Sequence, residues 1–510
     1  MTLTARAVVD LDVAGDTISP HLYGHFAEHL GRCIYGGFWV GEDSDIPNTA
    51  GIRQDVVDAL KALNIPNLRW PGGCFADEYH WRDGIGPVQE RPTMVNSHWG
   101  DVVEDNSFGT HEFMLLCEML GAAPYVNGNV GSGTVQEMSE WVEYLTRADD
   151  SPMARLRRAN GRDEPWRVPF WGIGNEAWGC GGNMRPEAYA DEARRYSTFL
   201  RNHGDNTLYR IAAGAPDDDL SWTRALMQAV SCVDCQIKPE SPIFQGVSFH
   251  YYTHAGAGIN TESATEFTQE QFYGTLANAH DIERIISLHE AVMDSYDPER
   301  RVGLVCDEWG TWWNVEPGTN PGFLFQQNTV RDALVAGIHF DAFHRHAGRL
   351  TMANIAQTVN VLQAMILTDD EGGLILTPTY HVFEMNKNHQ GATHVPAMVL
   401  DGPTVDVGDK KVPLVSMSAS TSGGTALLSL TNGSIEDDLD LRIDLRGVSA
   451  SVQRARVLSG QSPAAHNSSA NPSAVAPVAL AVGLVDGVLA VRLPAHAFAT
   501  IELELGAPSF

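Results

Sequence analysis

Hydrophobic patterning divides the chain into two textures. Over most of its length, short apolar runs alternate with longer stretches of helical period. The runs at 21–29 (HLYGHFAEH), 67–73 (NLRWPGG), 123–131 (APYVNGNVG), 169–176 (PFWGIGNE), 209–216 (YRIAAGAP), 246–252 (GVSFHYY), 302–309 (VGLVCDEW) and 349–357 (RLTMANIAQ) read as strands. Between them, 51–63, 108–121, 185–204 and 328–346 read as helices, the second capped near Asn106 and the third carrying Pro186 in its first turn. Strands alternating with helices predict βαβ units and a parallel sheet. Eight such strands predict a (β/α)₈ TIM barrel over residues 16–384.

From about residue 385 the period changes to two. The segments 412–420, 424–432, 439–447, 451–460, 487–495 and 498–506 alternate apolar and polar positions, with turn signals at Gly423-Gly424 and Asn432-Gly433. That pattern predicts an antiparallel β-sandwich over 385–510. The opening stretch 3–13 alternates in the same way, so residues 1–15 are expected to join the sandwich. The polar, proline-punctuated segment 462–477 reads as a loop within it.

Composition adds limits on partners and place. The chain has 510 residues and a formal net charge of -30, from 34 basic and 64 acidic side chains. Such a field repels nucleic acid and anionic membrane surfaces but not a neutral sugar. Asp10, Asp12 and Asp16 interrupt the opening stretch where a signal peptide needs an apolar core. The apolar run at 475–485 contains Pro477 and is too short to span a bilayer. Seven cysteines, an odd count in a long chain, do not suggest a disulfide framework. These features together predict a cytoplasmic protein.

Chemistry in a (β/α)₈ barrel sits at the C-terminal ends of the strands. Those ends are polar here: Glu28-His29, Arg69 through Cys74, Asn175-Glu176, His250 and Tyr252, Asp307-Glu308, and Asn354 with Gln357. Two glutamates, Glu176 and Glu308, end strands four and seven. Paired carboxylates flanking one bond are the apparatus of glycoside hydrolysis, one as nucleophile and one as acid/base. Trp178, Trp309, Trp312 and Trp313 supply aromatic faces on which a sugar can stack. Either glutamate alone is equally compatible with a structural ion pair.

Taken together and in order, the motifs FAEHLGRCIYGG, NLRWPGGCFADEYHWRDGIGP, GNEAWGCGGNM and CDEWGTWW resemble glycoside hydrolase family 51, the α-L-arabinofuranosidases, and the resemblance covers nearly the whole chain. It implies a barrel with a jelly-roll sandwich, Glu176 as acid/base and Glu308 as nucleophile. It implies that Asn175 bonds the sugar 2-hydroxyl, that Glu28, Cys74 and Gln357 line the furanose pocket, and that Arg69 and Tyr252 position the nucleophile. His250 belongs to the same binding set, and Trp99 and Trp312 form the walls or rim. It also implies a retaining exo-enzyme acting on arabinan and arabinoxylan fragments, and a homo-oligomer, a hexamer. The chemistry calls for no metal and no organic cofactor. An endoglucanase or β-xylosidase on the same scaffold, and a carbohydrate-binding protein without turnover, are the alternative readings.

The remaining reactive residues have plainer explanations. Cys74 reads as a small buried residue lining the pocket, as free cysteines commonly are. Cys232 and Cys235 form a lone CxxC, weak grounds for zinc, and are expected to pack. His339, His344 and His346 are expected at the surface or an interface, and Asp217 to Asp219 in a solvated loop.

Overall fold

A computed structural model describes residues 2–231, 241–369 and 371–508. Its centre is a closed, eight-stranded parallel barrel. The strands are β1 (Gly24–Phe26), β2 (Asn67–Trp70), β3 (Ala123–Gly128), β4 (Phe170–Ile173), β5 (Tyr209–Pro216), β6 (Gly246–Thr253), β7 (Gly303–Thr311) and β8 (Leu350–Ile355). They follow one another around the barrel in chain order, β8 closing on β1. One coincides with each of the eight apolar runs, β6 and β7 ending one and two residues beyond theirs. Such runs are what a strand covered on both faces requires, and β7 is buried at every residue. Tyr125, Ile211, Val305 and Met352, from four strands, meet across the interior.

The second body is a pair of sheets around its own core, which includes Val9, Leu428, Leu441, Leu489 and Ile501. One sheet has five strands and the other six. Leu3–Asp10 lies in the five-stranded sheet, antiparallel to Ala397–Asp401 but parallel to Leu439–Arg446. The sandwich is therefore mixed, not wholly antiparallel. A strand laid in from the far end of the chain is not tied to its neighbour by a hairpin, so its direction is free.

The helix Val330–Arg345 and its C-cap carry the three histidines expected at the surface or an interface. Residues Val330 through His344 are all buried, because the helix lies between the barrel and the six-stranded sheet. His339 and His344, expected at the surface or an interface, are sealed at the interface of barrel and sandwich. The His339 ring packs on Trp309 with centroids 5.2 Å apart. His344 bonds Tyr23 Oη at 2.8 Å and Ser418 Oγ at 2.7 Å, so it joins the two bodies. His346 is partly exposed between Glu283 and Glu290. A Cβ on Gly337 would stand 2.7 Å from the Phe498 ring, so glycine permits the close approach of helix and sheet.

Helix starts differ in two places, one being the stretch 51–63, where Ile52–Arg53 is a short strand and the helix runs Gln54–Ala62. The helix Thr110–Leu120 begins at Gly109, whose N–H donates to the Glu112 carboxylate at 2.8 Å. Asn106 lies earlier and its amide donates instead to the Pro92 carbonyl. Helix Pro186–Phe199 does carry proline in its first turn. Among the described residues, no helix is long and apolar enough to cross a membrane.

Candidate active site

The C-terminal ends of the strands converge on one pocket. Glu28, Cys74, Trp99, Asn175, Glu176, Tyr252, Glu308, Trp312 and Gln357 all line it. Arg69 and His250 lie beside it, tied to its carboxylates. Beyond it, a cavity of about 540 Å³ shares Glu176, Tyr252 and Trp312 with the pocket and adds Trp178 and His250.

Glu308 stands on β7 and is held from two sides. Arg69 Nη1 donates to Oε1 at 2.8 Å, and Tyr252 Oη donates to Oε2 at 2.8 Å. Arg69 is fully buried in the middle of β2. Its Nη2 donates to Asn175 Oδ1 at 2.6 Å and its Nε lies 3.9 Å from Asp307. Burial opposes the guanidinium charge, but Asp307 and Glu308 raise its pKa above the ordinary value. A buried cation with paired carboxylates in place is the arrangement that burial tolerates.

Glu176 emerges three residues past β4, at φ 38°. Its turn is clamped from a distance by Asp77, a residue within the second motif whose part was not foreseen. Asp77 Oδ2 accepts the Asn175 N–H at 2.8 Å, and Oδ1 accepts those of Val130 and Gly131 at 2.7 and 3.0 Å. Burial pushes the Asp77 carboxyl up to about 7 against those three bonds. Three backbone donors converging on one carboxylate leave no trace in local sequence.

A carboxylate oxygen of Glu176, one of Glu308 and a ring nitrogen of His250 lie within 4.8 Å of one another. His250 pairs in register with Glu308 across β6 and β7. Its Nδ1 is 2.8 Å from Glu176 Oε1 and its Nε2 3.1 Å from Asp307 Oδ1. Burial opposes a charge on this ring, but Glu308, Asp307 and Glu176 together raise it to about 10. Burial raises the Glu176 carboxyl; the His250 bond works against that and the Glu308 charge adds to it, for a net upward shift. Asp307 is held down at about 2 despite its burial, by Arg69 and His250.

Glu28 closes the opposite wall. Its Oε1 accepts from Gly73 N–H at 3.0 Å, Trp99 Nε1–H at 3.0 Å and Phe75 N–H at 3.3 Å, while Gln357 donates to Oε2. Burial and the Glu308 charge push Glu28 up to about 8, so it is mostly protonated at neutral pH. Gly73 is required between the carboxylates: a Cβ there would sit 2.7 Å from Glu308 Oε1 and 3.3 Å from Asn175 Nδ2.

Cys74 lines the pocket but not as a free thiol. It is disulfide-bonded to Cys180, 106 residues away. The odd cysteine count pointed away from bridges, yet three of the others, Cys33, Cys117 and Cys306, are simply buried thiols. Cys232 and Cys235 lie outside the described residues. Trp312 borders the pocket, whereas Trp313 is buried and donates to Asp332 at 2.7 Å. Asp217 to Asp219 are exposed, and Asp219 caps the following helix.

Similarity to known proteins follows the same lines. Residues 59–264 match the alpha-L-arabinofuranosidase 1 domain and 307–497 the alpha-L-arabinofuranosidase C-terminal domain. An intracellular exo-alpha-L-arabinofuranosidase of Bacteroides ovatus is 50% identical over 98% of this chain and 96% of its own. The crystal structure of the GH51 arabinofuranosidase from Xanthomonas axonopodis pv. citri superposes with a TM-score of 0.94 at 47% identity, over 98% of this chain and all of that one. The arabinose complex of the Thermotoga maritima alpha-L-arabinofuranosidase does so with a TM-score of 0.85 at 31% identity and the same coverage.

Proposed function

The chain belongs to glycoside hydrolase family 51, the α-L-arabinofuranosidases, and from that premise we propose that it removes terminal non-reducing α-L-arabinofuranosyl residues from arabinan and arabinoxylan fragments by retaining double displacement. The observation that carries the mechanism is the approach of Glu176 and Glu308 to within 4.8 Å. Retaining enzymes hold their carboxyl groups about 5–5.5 Å apart, whereas inverting enzymes need about 6.5–9.5 Å to admit a water between carboxylate and sugar.

In the first step Glu308 attacks the anomeric carbon. Arg69 and Tyr252 fix its two oxygens, so the attack costs little ordering. Glu176, whose pKa is raised by burial and by the Glu308 charge, gives its proton to the departing oxygen. Forming the ester removes the Glu308 charge. That takes away one of the influences raising Glu176, and the residue becomes a better base for the water of the second step. Asn175 is oriented by Arg69 through its carbonyl, and its amide, which reaches Cys180 Sγ at 3.8 Å with one hydrogen, has a second hydrogen for the sugar 2-hydroxyl. Protonated Glu28 can both donate to and accept from hydroxyl groups. Gln357 Oε1 is buried with no protein partner and awaits a donor from the sugar.

The exo preference is read from the small size of the pocket, about 40 Å³ with Trp99, Trp312, Leu324 and Leu362 on its walls, which suits a chain end better than a polymer. The outer cavity past Glu176 would take the leaving group. Intracellular residence and a homo-oligomer, a hexamer, complete the proposal; light scattering of the purified protein checks the last. The deciding assay is hydrolysis of 4-nitrophenyl α-L-arabinofuranoside beside the β-D-xylopyranoside and β-D-glucopyranoside, with Glu308→Ala as control. Strong furanoside preference lost in Glu308→Ala, with azide restoring turnover as a glycosyl azide of inverted configuration, is the expected result. Pyranoside preference would move the enzyme to the rival specificities. Full activity in Glu308→Ala would remove the nucleophile assignment.

A further inference from the structure

Glu176 has two sulfur neighbours that the proposed reaction does not use. Cys180 Sγ lies 3.6 Å and Cys74 Sγ 3.9 Å from Glu176 Oε2. One ligand atom from each of the three residues lies within 4.8 Å of the other two. All three are partly exposed, so the pocket that admits a sugar also admits small reagents. Their Cα atoms, 5.5 Å apart in the two cysteines, are held by a barrel-end turn on one side and the Gly73 segment on the other. Neither segment depends on the bridge alone, because Asp77 ties both together through backbone N–H groups.

The donor character of this cluster depends on the bond between the sulfurs. As a disulfide they are neutral and weak ligands. A dithiol reductant breaks the S–S bond: each cysteine sulfur takes one electron and one proton, and the dithiol is oxidised to a disulfide. Two thiols beside a carboxylate, on giving up their protons, form the soft anionic donor set that selects zinc-class cations, with water completing a tetrahedron. We propose that the reduced enzyme binds a zinc-class divalent cation between Cys74, Cys180 and Glu176, and that the cation silences the enzyme by occupying the acid/base carboxylate. The oxidised enzyme lacks this site.

A second donor group, Glu176 with His250 and Glu308, offers a competing position. It is the poorer one, because His250 is engaged at both ring nitrogens by carboxylates and has no lone pair to give while charged. It is also indifferent to reduction, which separates the two sites experimentally. The metal site stands apart from the proposed function; its silencing effect rests on the acid/base role of Glu176.

The test uses the full-length protein carrying Cys232→Ser and Cys235→Ser, so that the CxxC cannot hold metal. Zinc bound after equilibrium dialysis is counted by elemental analysis, for the oxidised protein and for protein reduced with a phosphine that is then removed. One additional zinc per chain is expected on reduction, with at least a ten-fold loss of arabinofuranoside turnover that a chelator reverses. Adding Cys180→Ser should abolish the gain. If that variant does not fold, cobalt in place of zinc should give a thiolate charge-transfer band only in the reduced parent. Equal zinc and equal inhibition in both redox states would place the metal on the His250 group and overturn the proposal, as would a gain that survives Cys180→Ser. Extra zinc without loss of turnover would overturn the silencing. The zinc count does not require activity, so its outcome is distinct from failure of the arabinofuranosidase assignment.

Discussion

Replacing His250 by glutamine isolates what a buried cation does to Glu176, the proposed acid/base. Glu176 is raised by burial and by Glu308, while the His250 ring 2.8 Å away pulls it back. With its own pKa at about 10, that ring is a cation throughout the working range. Glutamine can keep one neutral hydrogen bond to Glu176 but not the charge. A hydrogen bond to a charged group is worth about 1.5–3 kcal/mol and a neutral one roughly half of that. The difference, about 1–1.5 kcal/mol, corresponds to about one pKa unit. Its sign is upward, because removing a cation disfavours the ionised carboxyl. The basic limb of kcat/KM, which reports loss of the Glu176 proton in the free enzyme, should therefore move up by about one pH unit. The second step needs the carboxylate. With an activated 4-nitrophenyl furanoside, whose departure needs little acid help, the acidic limb of kcat, which reports ionisation of Glu176 before the second step, should move up in the same direction. The assay is a pair of pH–rate profiles for wild type and His250→Gln, with thermal melts to establish that the variant is folded. A basic limb that stays in place or moves down, in a folded variant, would refute the idea that His250 tunes Glu176.

Three further outcomes follow from the same geometry. Glu176→Ala should lose about 10²–10⁴-fold on unactivated arabinosides but retain a first-step burst on activated ones; equal loss on both classes would count against the acid role. Gly73→Ala, whose Cβ would stand 2.7 Å from Glu308 Oε1, should lower kcat/KM about 100-fold by displacing the carboxylate; unchanged kinetics would show that the Gly73 segment can yield. His346 is held at about 9 by Glu283 and Glu290 against its burial. Since 6.5 is its unfolded value, its stabilisation of up to about 3 kcal/mol is complete below pH 6.5 and fades as pH rises through 9. Urea midpoints should therefore drop across the alkaline range in wild type and less so in His346→Gln, and parallel profiles would contradict the assignment.

What could be read from the sequence depended on whether the signal was local. Each barrel strand announces itself, since a strand buried on both faces must be apolar through several residues, as in VGLVCDEW and PFWGIGNE. The same logic exposes Glu176 and Glu308, because an ionisable group at the end of such a run lies at a strand's mouth. Closure of the barrel then brings those ends together, and that is why residues drawn from six strands meet in one pocket. The features that escaped are pairwise and distant. Asp77 gathers three N–H groups from two other loops, and no spacing records that. Cys74 and Cys180 are bridged across 106 residues, which a count of seven cysteines obscures.

His339 and His344 tie fold to function. Their helix was placed by its position along the barrel, at the end remote from chemistry, and its histidines were assigned to a surface or an interface. The sandwich supplies that interface. His344 is thereby bonded to Ser418 and Tyr23, and His339 packs under Trp309, the residue directly after Glu308, the proposed nucleophile. Both rings are kept neutral by burial. The sandwich thus does more than append a second body. It seals the helix on which the back of β7 rests, and with it the strand that holds Glu308 within reach of Glu176. Loosening that seal should reach the active site through Trp309 before it reaches any residue that touches sugar.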